Sequence, residues 1–312
     1  MVKHYTNFNI KKLHRGSIIL IGNFDGLHLG HQKLFQLAQS YKKKYNLKIG
    51  VVNFDPMPKM FFNKKLKNFR LSNIDQKIKL LSNLKVDFVI TKKFDKKFSK
   101  TKALNFISQI LNKKLSSKFI FVSNNFRFGN KREGNVNLLK RYEQLFNYKV
   151  VKPEPLIKSK RIVSSSLIRN LLEKGLLDKA NNLLKRNWTI QGVVKKGRQV
   201  GKKIGFPTCN IDIGDYVLAK PGVYAVKVLR KNSKKYLKGI ANLGYRPTFN
   251  QKKILLEVHL FNFSGNLYNK LLSVEFLKFI RKEKKFNNVN QLRAQIKKDL
   301  NIAKKTKWLN HK

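Results

Sequence analysis

One cysteine, Cys209, stands in 312 residues, which excludes an intrachain disulfide and fits a reducing compartment. Acidic residues are also scarce. Only 16 Asp and Glu face 69 Lys and Arg, and the formal net charge of +53 would ordinarily suggest a nucleic-acid partner. There is no run of 18 apolar residues, and Met1-Val2-Lys3-His4-Tyr5 lacks an apolar core of the signal-peptide kind. A soluble, cytoplasmic chain with no membrane partner is therefore expected. Internal repeats and low-complexity linkers are missing too.

Hydrophobic residues make up 42% and aromatics 11% of the chain, enough to argue against disorder and to give two domains a core each. The lysines are dispersed, as in Lys42-Lys43-Lys44, Lys96-Lys97, Lys202-Lys203 and Lys284-Lys285, rather than gathered on one element. That pattern reads as compositional drift. The resulting field speeds capture of phosphates and binds nucleic acid at low salt without specificity.

Apolar strands at Ser17–Phe24, Lys48–Phe54, Val86–Thr91, Ser117–Ser123 and Tyr148–Lys152 alternate with helical patterns near 31–45, 74–84, 100–114 and 134–146. This alternation predicts an α/β domain with a parallel, Rossmann-like sheet. After a helical pair at 166–174 and 177–185 the period changes to two. Strands at Thr189–Lys195, Gly222–Leu229, Tyr236–Leu243, Ile254–Phe263 and Leu272–Phe279, then a helix near 288–305, predict a small antiparallel β-barrel with a terminal helix. The expected domains are 1–185 and 186–312, the second folding alone from about Lys185.

The first strand runs into Gly22-Asn23-Phe24-Asp25-Gly26-Leu27-His28-Leu29-Gly30-His31 and then a helix. A glycine turn at a helix N-terminus offers free N–H groups and the positive end of the dipole to an anion. His28 and His31, three apart, would share one helix face beside it. The spacing is neither G-x-G-x-x-G nor a Walker A, and it suits adenylyl transfer, where charge builds on a phosphate and no protein nucleophile is needed. Ser164-Ser165-Ser166 with Arg169 at another helix start offers hydroxyls and a planar fork for phosphate, or a plain cap. Phe54-Asp55-Pro56-Met57-Pro58, Phe61-Phe62 and Asn125-Phe126-Arg127-Phe128 supply aromatic faces, read either as core or as the wall of a flat ligand's pocket.

In the second domain Gly192, Gly197, Gly201 and Gly205 punctuate a basic loop ending in Phe206-Pro207-Thr208-Cys209-Asn210. Such a loop folds around phosphates or simply marks turns, and Thr208 and Asn210 offer hard oxygens to Mg²⁺. Cys209 between them reads as a small buried side chain. Period two puts Glu257 and His259 on one strand face, where a carboxylate looking into the barrel mouth can accept the proton of an attacking hydroxyl or pair with a surface lysine. Glu275 is the rival.

These segments, with Arg70-Leu71, Ala241-Asn242-Leu243-Gly244-Tyr245-Arg246-Pro247-Thr248 and Leu256-Glu257-Val258-His259-Leu260, occur in the order and spacing of a known family. The chain resembles the bacterial bifunctional riboflavin kinase/FAD synthetases over nearly its whole length. The resemblance implies phosphorylation of riboflavin by ATP to FMN, then adenylylation of FMN to FAD with release of pyrophosphate. It implies ATP contacts at Gly22, Asn23, Phe24, Asp25, Gly26, His28, His31, Ser164, Ser165, Ser166 and Arg169, and in the kinase at Gly197, Gly201, Gly205 and Thr208. Flavin contacts are implied at Phe54, Pro56, Pro58, Phe62, Asn125, Arg127 and Phe128, with Mg²⁺ on Thr208 and Asn210 and Glu257 as base. Ser166 stands where the family usually has Thr, Met57 where it has a more polar residue, and Asn266 and Asn269 where it commonly has Asp and Gly. Retention of only one activity, or a basic nucleic-acid-binding protein, are the alternatives.

Overall fold

Residues 2–197, 199–248 and 251–306 are described by the computed structural model. Six parallel strands form one sheet: β1 (Lys3–Tyr5), β2 (Ile18–Ile21), β3 (Ile49–Asp55), β4 (Phe88–Lys93), β5 (Phe119–Phe121) and β6 (Lys149–Val151), in the order β1-β4-β3-β2-β5-β6. Because side chains alternate, Ile18 and Leu20 of β2 enter one core with Phe35 and Ala38, while Ile19 and Ile21 enter the other with Val52 and Phe88. Helices α1 (Leu29–Tyr45), α2 (Pro58–Phe62) and α3 (Ile74–Asn83) belong to this part of the chain. Asn46 ends α1 in the left-handed region (φ 50°), and Lys42, Lys43 and Lys44 in the last turn suit the negative end of its dipole.

Two local departures from the expected pattern occur. Lys3-His4-Tyr5, too polar to read as a strand, becomes the sheet edge by pairing with β4, and His4 Nε2 lies 2.9 Å from Thr91 Oγ1. The helix expected over 100–114 is α-helical only at Ala103–Asn105 and π-helical over Phe106–Lys114, where Phe106, Ile107, Ile110 and Leu111 are buried.

The rest of the chain closes a six-stranded antiparallel barrel: β7 (Thr189–Lys195), β8 (Cys209–Asp212), β9 (Gly222–Arg230), β10 (Tyr236–Thr248), β11 (Gln251–Leu260) and β12 (Leu271–Arg281), in the order β7-β8-β11-β10-β9-β12. Two helices precede it, α4 (Ser165–Glu173) and α5 (Leu177–Leu184), and α6 (Val289–Lys305) follows it.

The compact units are Met1–Lys67 with Ile74–Ser164, and Asn68–Asn73 with Ser165–Lys312. The expected division at 185/186 therefore does not follow the packing. Ile168, Leu171 and Leu172 of α4, Leu177, Ala180 and Leu184 of α5, and Leu71 share one core with Trp188, Tyr224, Val226 and Phe276 of the barrel. The Trp188 indole N–H also donates to Leu71 O at 3.1 Å. Local periodicity marks these helices as amphipathic but does not say which core they cover. Removing Ile168, Leu172, Leu177 and Leu184 would forfeit roughly 6–12 kcal/mol at about 1.5–3 kcal/mol each, comparable to a whole domain's stability. A fragment spanning 165–312 is expected to melt cooperatively and one spanning 186–312 to show no cooperative transition, as read by circular dichroism.

Candidate active sites

Between β2 and α1 the chain turns through Gly22 to His28. Gly26 adopts φ +77°, and Phe24 (φ 46°) and Leu27 (φ 42°) are forced into the same left-handed region although both carry buried side chains. Non-glycine residues held there cost about 1–3 kcal/mol each, a strain the surrounding core must hold and one that clusters at functional sites. His28 is the N-cap of α1, and its Nδ1 accepts a long 3.4 Å bond from His31 N–H. A neutral ring accepting at Nδ1 carries its proton on Nε2, where it is a donor. The two imidazoles stack at 3.7 Å with 20° between their planes. Asp25 and His28 are buried, and His31 Nδ1 is enclosed without a hydrogen-bond partner among the described residues. At Gly30 a side chain would press on Val163 O at 3.1 Å, which places the backbone preceding Ser164 against the first turn of α1.

Burial holds the His31 pKa well below its ordinary value of 6.5, assisted by the charges of His28 and of Lys77, a buried lysine of α3. The unfolded chain binds this proton first, so the contribution is intact above pH 6.5 and erodes below it, by up to about 1.4 kcal/mol per pH unit until the buried ring is itself protonated. His4 and His14 are depressed too, by burial, and steepen the same dependence. Melting temperatures measured from pH 7.5 to 5 should therefore fall, and His31→Gln should flatten that fall.

A cavity of about 720 Å³ lies in the same unit, lined by Phe54 of β3, Pro58, Lys59 and Phe62 of α2, and Phe94, Phe98, Phe106, Phe126, Arg127 and Phe128. Of the expected flavin residues, Phe54, Pro58, Phe62, Arg127 and Phe128 are in its wall, and Pro56 and Asn125 are not. Asn125 is exposed, and its Oδ1 accepts from Ser123 Oγ at 3.0 Å. Met57 is buried outside that wall, so its departure from the more polar family residue does not alter the lining. Phe94, Phe98 and Phe106 come from segments with no motif of their own and were not among the expected residues; local aromatic density is the one signal in the sequence that points to them.

Arg169 and Ser165 lie in the other unit. Arg169 is buried on α4, its Nε donating to Phe69 O at 2.7 Å and its guanidinium carbon 3.6 Å from the Phe69 ring centroid. Ser164 and Ser165 are half-buried and Ser166 is exposed.

The second cavity, about 390 Å³, is walled by Gly201, Phe206, Thr208, Asn210, Asn242, Glu257 and His259, together with Leu292 and Ile296 of α6. It lies on the outer face of the barrel, not in the mouth. Leu256, Val258 and Leu260 of β11 fill the interior, so Glu257 and His259 point outward. Asn210 of β8 and Asn242 of β10 flank Glu257 in register. Among the described residues the buried Asn210 Oδ1 has no hydrogen-bond partner, which suits an oxygen reserved for a cation. Its neighbours in the wall, Thr208 and Glu257, are hard oxygen donors as well, so the set fits Mg²⁺. His259 Nδ1 donates to Pro207 O at 2.8 Å, tying the glycine-rich segment to β11. Gly201 is in the wall, where a side chain would strike Phe206 O; Gly197 and Gly205 are not.

Glu275 stands elsewhere. It accepts from Asn187 Nδ2 at 3.1 Å and Tyr236 Oη at 2.9 Å and pairs with the buried Lys227 at 3.2 Å. Burial and that carboxylate push the Tyr236 hydroxyl up to about 12. Cys209 is half-buried and its thiol is pushed up to about 11 by desolvation, in keeping with a packing role.

The FAD synthetase family profile matches residues 10–167 and the riboflavin kinase profile residues 184–307. The bifunctional riboflavin kinase/FMN adenylyltransferase of Buchnera aphidicola from Schizaphis graminum is 42% identical over 95% of this chain and 96% of its own. The chain belongs to the bifunctional riboflavin kinase/FMN adenylyltransferase family. Members from Haemophilus influenzae (40% identical, 95% of this chain, 96% of that one) and Escherichia coli K12 (37%, 91% and 90%) agree. A crystal structure titled as a macrolide-efflux protein from Streptococcus pneumoniae superposes with TM-score 0.85 and 26% identity over 98% of this chain and 99% of that one. Among the described residues no helix is long and apolar enough to cross a membrane.

Two departures from the family's pattern preserve local geometry. Asn269 sits at φ 59°, a region Asn tolerates better than most residues other than glycine, and Asn266 Oδ1 accepts from Tyr268 N–H at 2.9 Å as an Asp would. The side chains of Arg246, Pro247 and Thr248 lie outside the described residues.

Proposed function

We propose that this bifunctional flavin-cofactor enzyme carries out its two reactions at the two places described above, with Glu257 as the kinase base and the His28–His31 turn as the adenylyl-transfer site. Riboflavin and ATP give FMN and ADP; FMN and a second ATP give FAD and pyrophosphate. The observation that carries the kinase assignment is the outward pair of Glu257 and Asn210 in one cavity wall, the first a base and the second an oxygen without a partner among the described residues. Glu257 accepts the proton of the ribityl hydroxyl as that oxygen attacks the γ-phosphate. Thr208 and Asn210 would hold Mg²⁺, which when bound neutralises charge on the phosphates. The segment through Gly201 covers the nucleotide, and His259 keeps it in place through Pro207.

In adenylyl transfer the FMN phosphate displaces pyrophosphate from the α-phosphate of ATP. The N-terminal turn of α1, with the positive end of its dipole, and the Nε2–H of His28 face the charge that develops there. Ser164, Ser165, Ser166 and Arg169 bind the nucleotide's phosphates, and the aromatic cavity holds the isoalloxazine, with Arg127 as its polar contact. By function, the adenylyl-transfer residues are assigned to 1–185 and the kinase residues to 186–312, a division that differs from the division by packing, in which Ser165–Leu184 belongs with the barrel. The cytoplasm, where ATP is abundant, is the proposed compartment.

The test is incubation with riboflavin and Mg-ATP followed by separation of the flavins. FMN appearing first and FAD accumulating supports the reading; a stop at FMN leaves only the kinase half active, and no turnover overturns both assignments.

A further inference from the structure

The segment Asn68–Asn73 leaves the unit that precedes and follows it in sequence and packs with the barrel. Its backbone is held at several points. Phe69 N–H and Arg70 N–H both donate to Asp215 O, at 2.7 and 2.8 Å, Val217 N–H donates to Arg70 O at 2.8 Å, and Leu71 O receives the Trp188 indole. A segment fixed this way is a stiff platform. On it rests the guanidinium of Arg169, which meets Phe69 twice, by the 2.7 Å bond from Nε to the carbonyl and by the 3.6 Å approach to the ring.

We propose that Phe69 is a positioning residue for adenylyl transfer, its ring and carbonyl fixing the plane in which Arg169 presents its fork to the phosphates of ATP. This rests on the reading of Arg169 as a phosphate ligand. Arginine recognises phosphate through directed N–H groups, so a guanidinium free to rotate loses geometry as well as entropy. The carbonyl bond alone fixes one nitrogen; stacking on the ring fixes the plane. A bond and a ring contact to the same residue, on a buried side chain, do both.

The experiment measures kcat/KM for ATP at saturating FMN. Phe69→Leu keeps an apolar side chain and the carbonyl but removes the π face, and is expected to lower kcat/KM by about 5- to 30-fold, chiefly through KM. KM for FMN and the rate of riboflavin phosphorylation should stay within about twofold, and Phe69→Tyr should restore the ATP term. Should Phe69→Leu fail to fold, Phe69→Met carries the same expectation. An unchanged ATP term in the Leu or Met variant, a parallel loss of both activities, or a Tyr variant as poor as Leu overturns the proposal. Arg169→Gln separates the two levels: if it makes FAD at the wild-type rate, the phosphate-ligand reading itself fails, whereas its impairment beside a normal Phe69→Leu sinks the role of Phe69 alone.

Discussion

Glu257→Gln is expected to lower riboflavin phosphorylation by about 10²–10⁴ and leave adenylylation of supplied FMN unchanged. Glutamine keeps the shape and hydrogen-bonding capacity of the side chain while removing the base, so the loss would belong to proton transfer. The structure gives a sharp control in Glu275→Gln. That carboxylate is spent on Lys227, Tyr236 and Asn187 and is outside the cavity wall. Its neutralisation leaves the buried Lys227 ammonium without its ion pair, a change that acts on stability and not on the reacting hydroxyl. The Glu275 variant should therefore melt several degrees lower and, at a temperature where it is folded, phosphorylate riboflavin within about tenfold of wild type. Reversal of the two outcomes would transfer the base from Glu257 to Glu275.

The alternation Leu256-Glu257-Val258-His259-Leu260 was enough to put Glu257 and His259 on one face, because the period of a strand is a local property. Which side of the barrel that face looks onto was not legible. It depends on α6 packing outside the sheet, with Ile296 and Leu300 against Val223 and Ile240, a contact between residues far apart in sequence. The same limit explains β8. Cys209–Asp212 reads as the end of a basic loop until its pairing with β11 makes it a strand that presents Asn210. It explains the flavin cavity too, where Phe94, Phe98 and Phe106 converge from separate segments while Asn125, within a motif, faces solvent. The parallel sheet and the turn at Gly22–His31 were legible because apolar runs, glycines and a helix start are all written locally. Lys77 was not, since nothing in an amphipathic helix marks one lysine among 69 Lys and Arg for burial beside a histidine.

His28→Ala should remove FAD formation by about 10²–10³ and spare FMN formation, because loss of one preorganised donor at a developing oxyanion typically has that size. The structure adds a complication that the spacing of the two histidines did not show. His28 is also the N-cap of α1, so alanine removes a cap as well as a donor, worth about 0.5–2 kcal/mol of stability, and a 3.4 Å bond belongs at the low end of that range. Asparagine separates the roles. His28→Asn supplies a good N-cap with an oxygen in place of Nδ1, but its short amide does not reach where Nε2 stood. It should melt close to wild type and still lose FAD formation to nearly the extent of His28→Ala, with riboflavin phosphorylation unchanged in both. If His28→Asn instead makes FAD at the wild-type rate, His28 serves the helix and not the phosphate. Adenylyl transfer would then have to rest on the positive end of the α1 dipole and on the second imidazole stacked beside it.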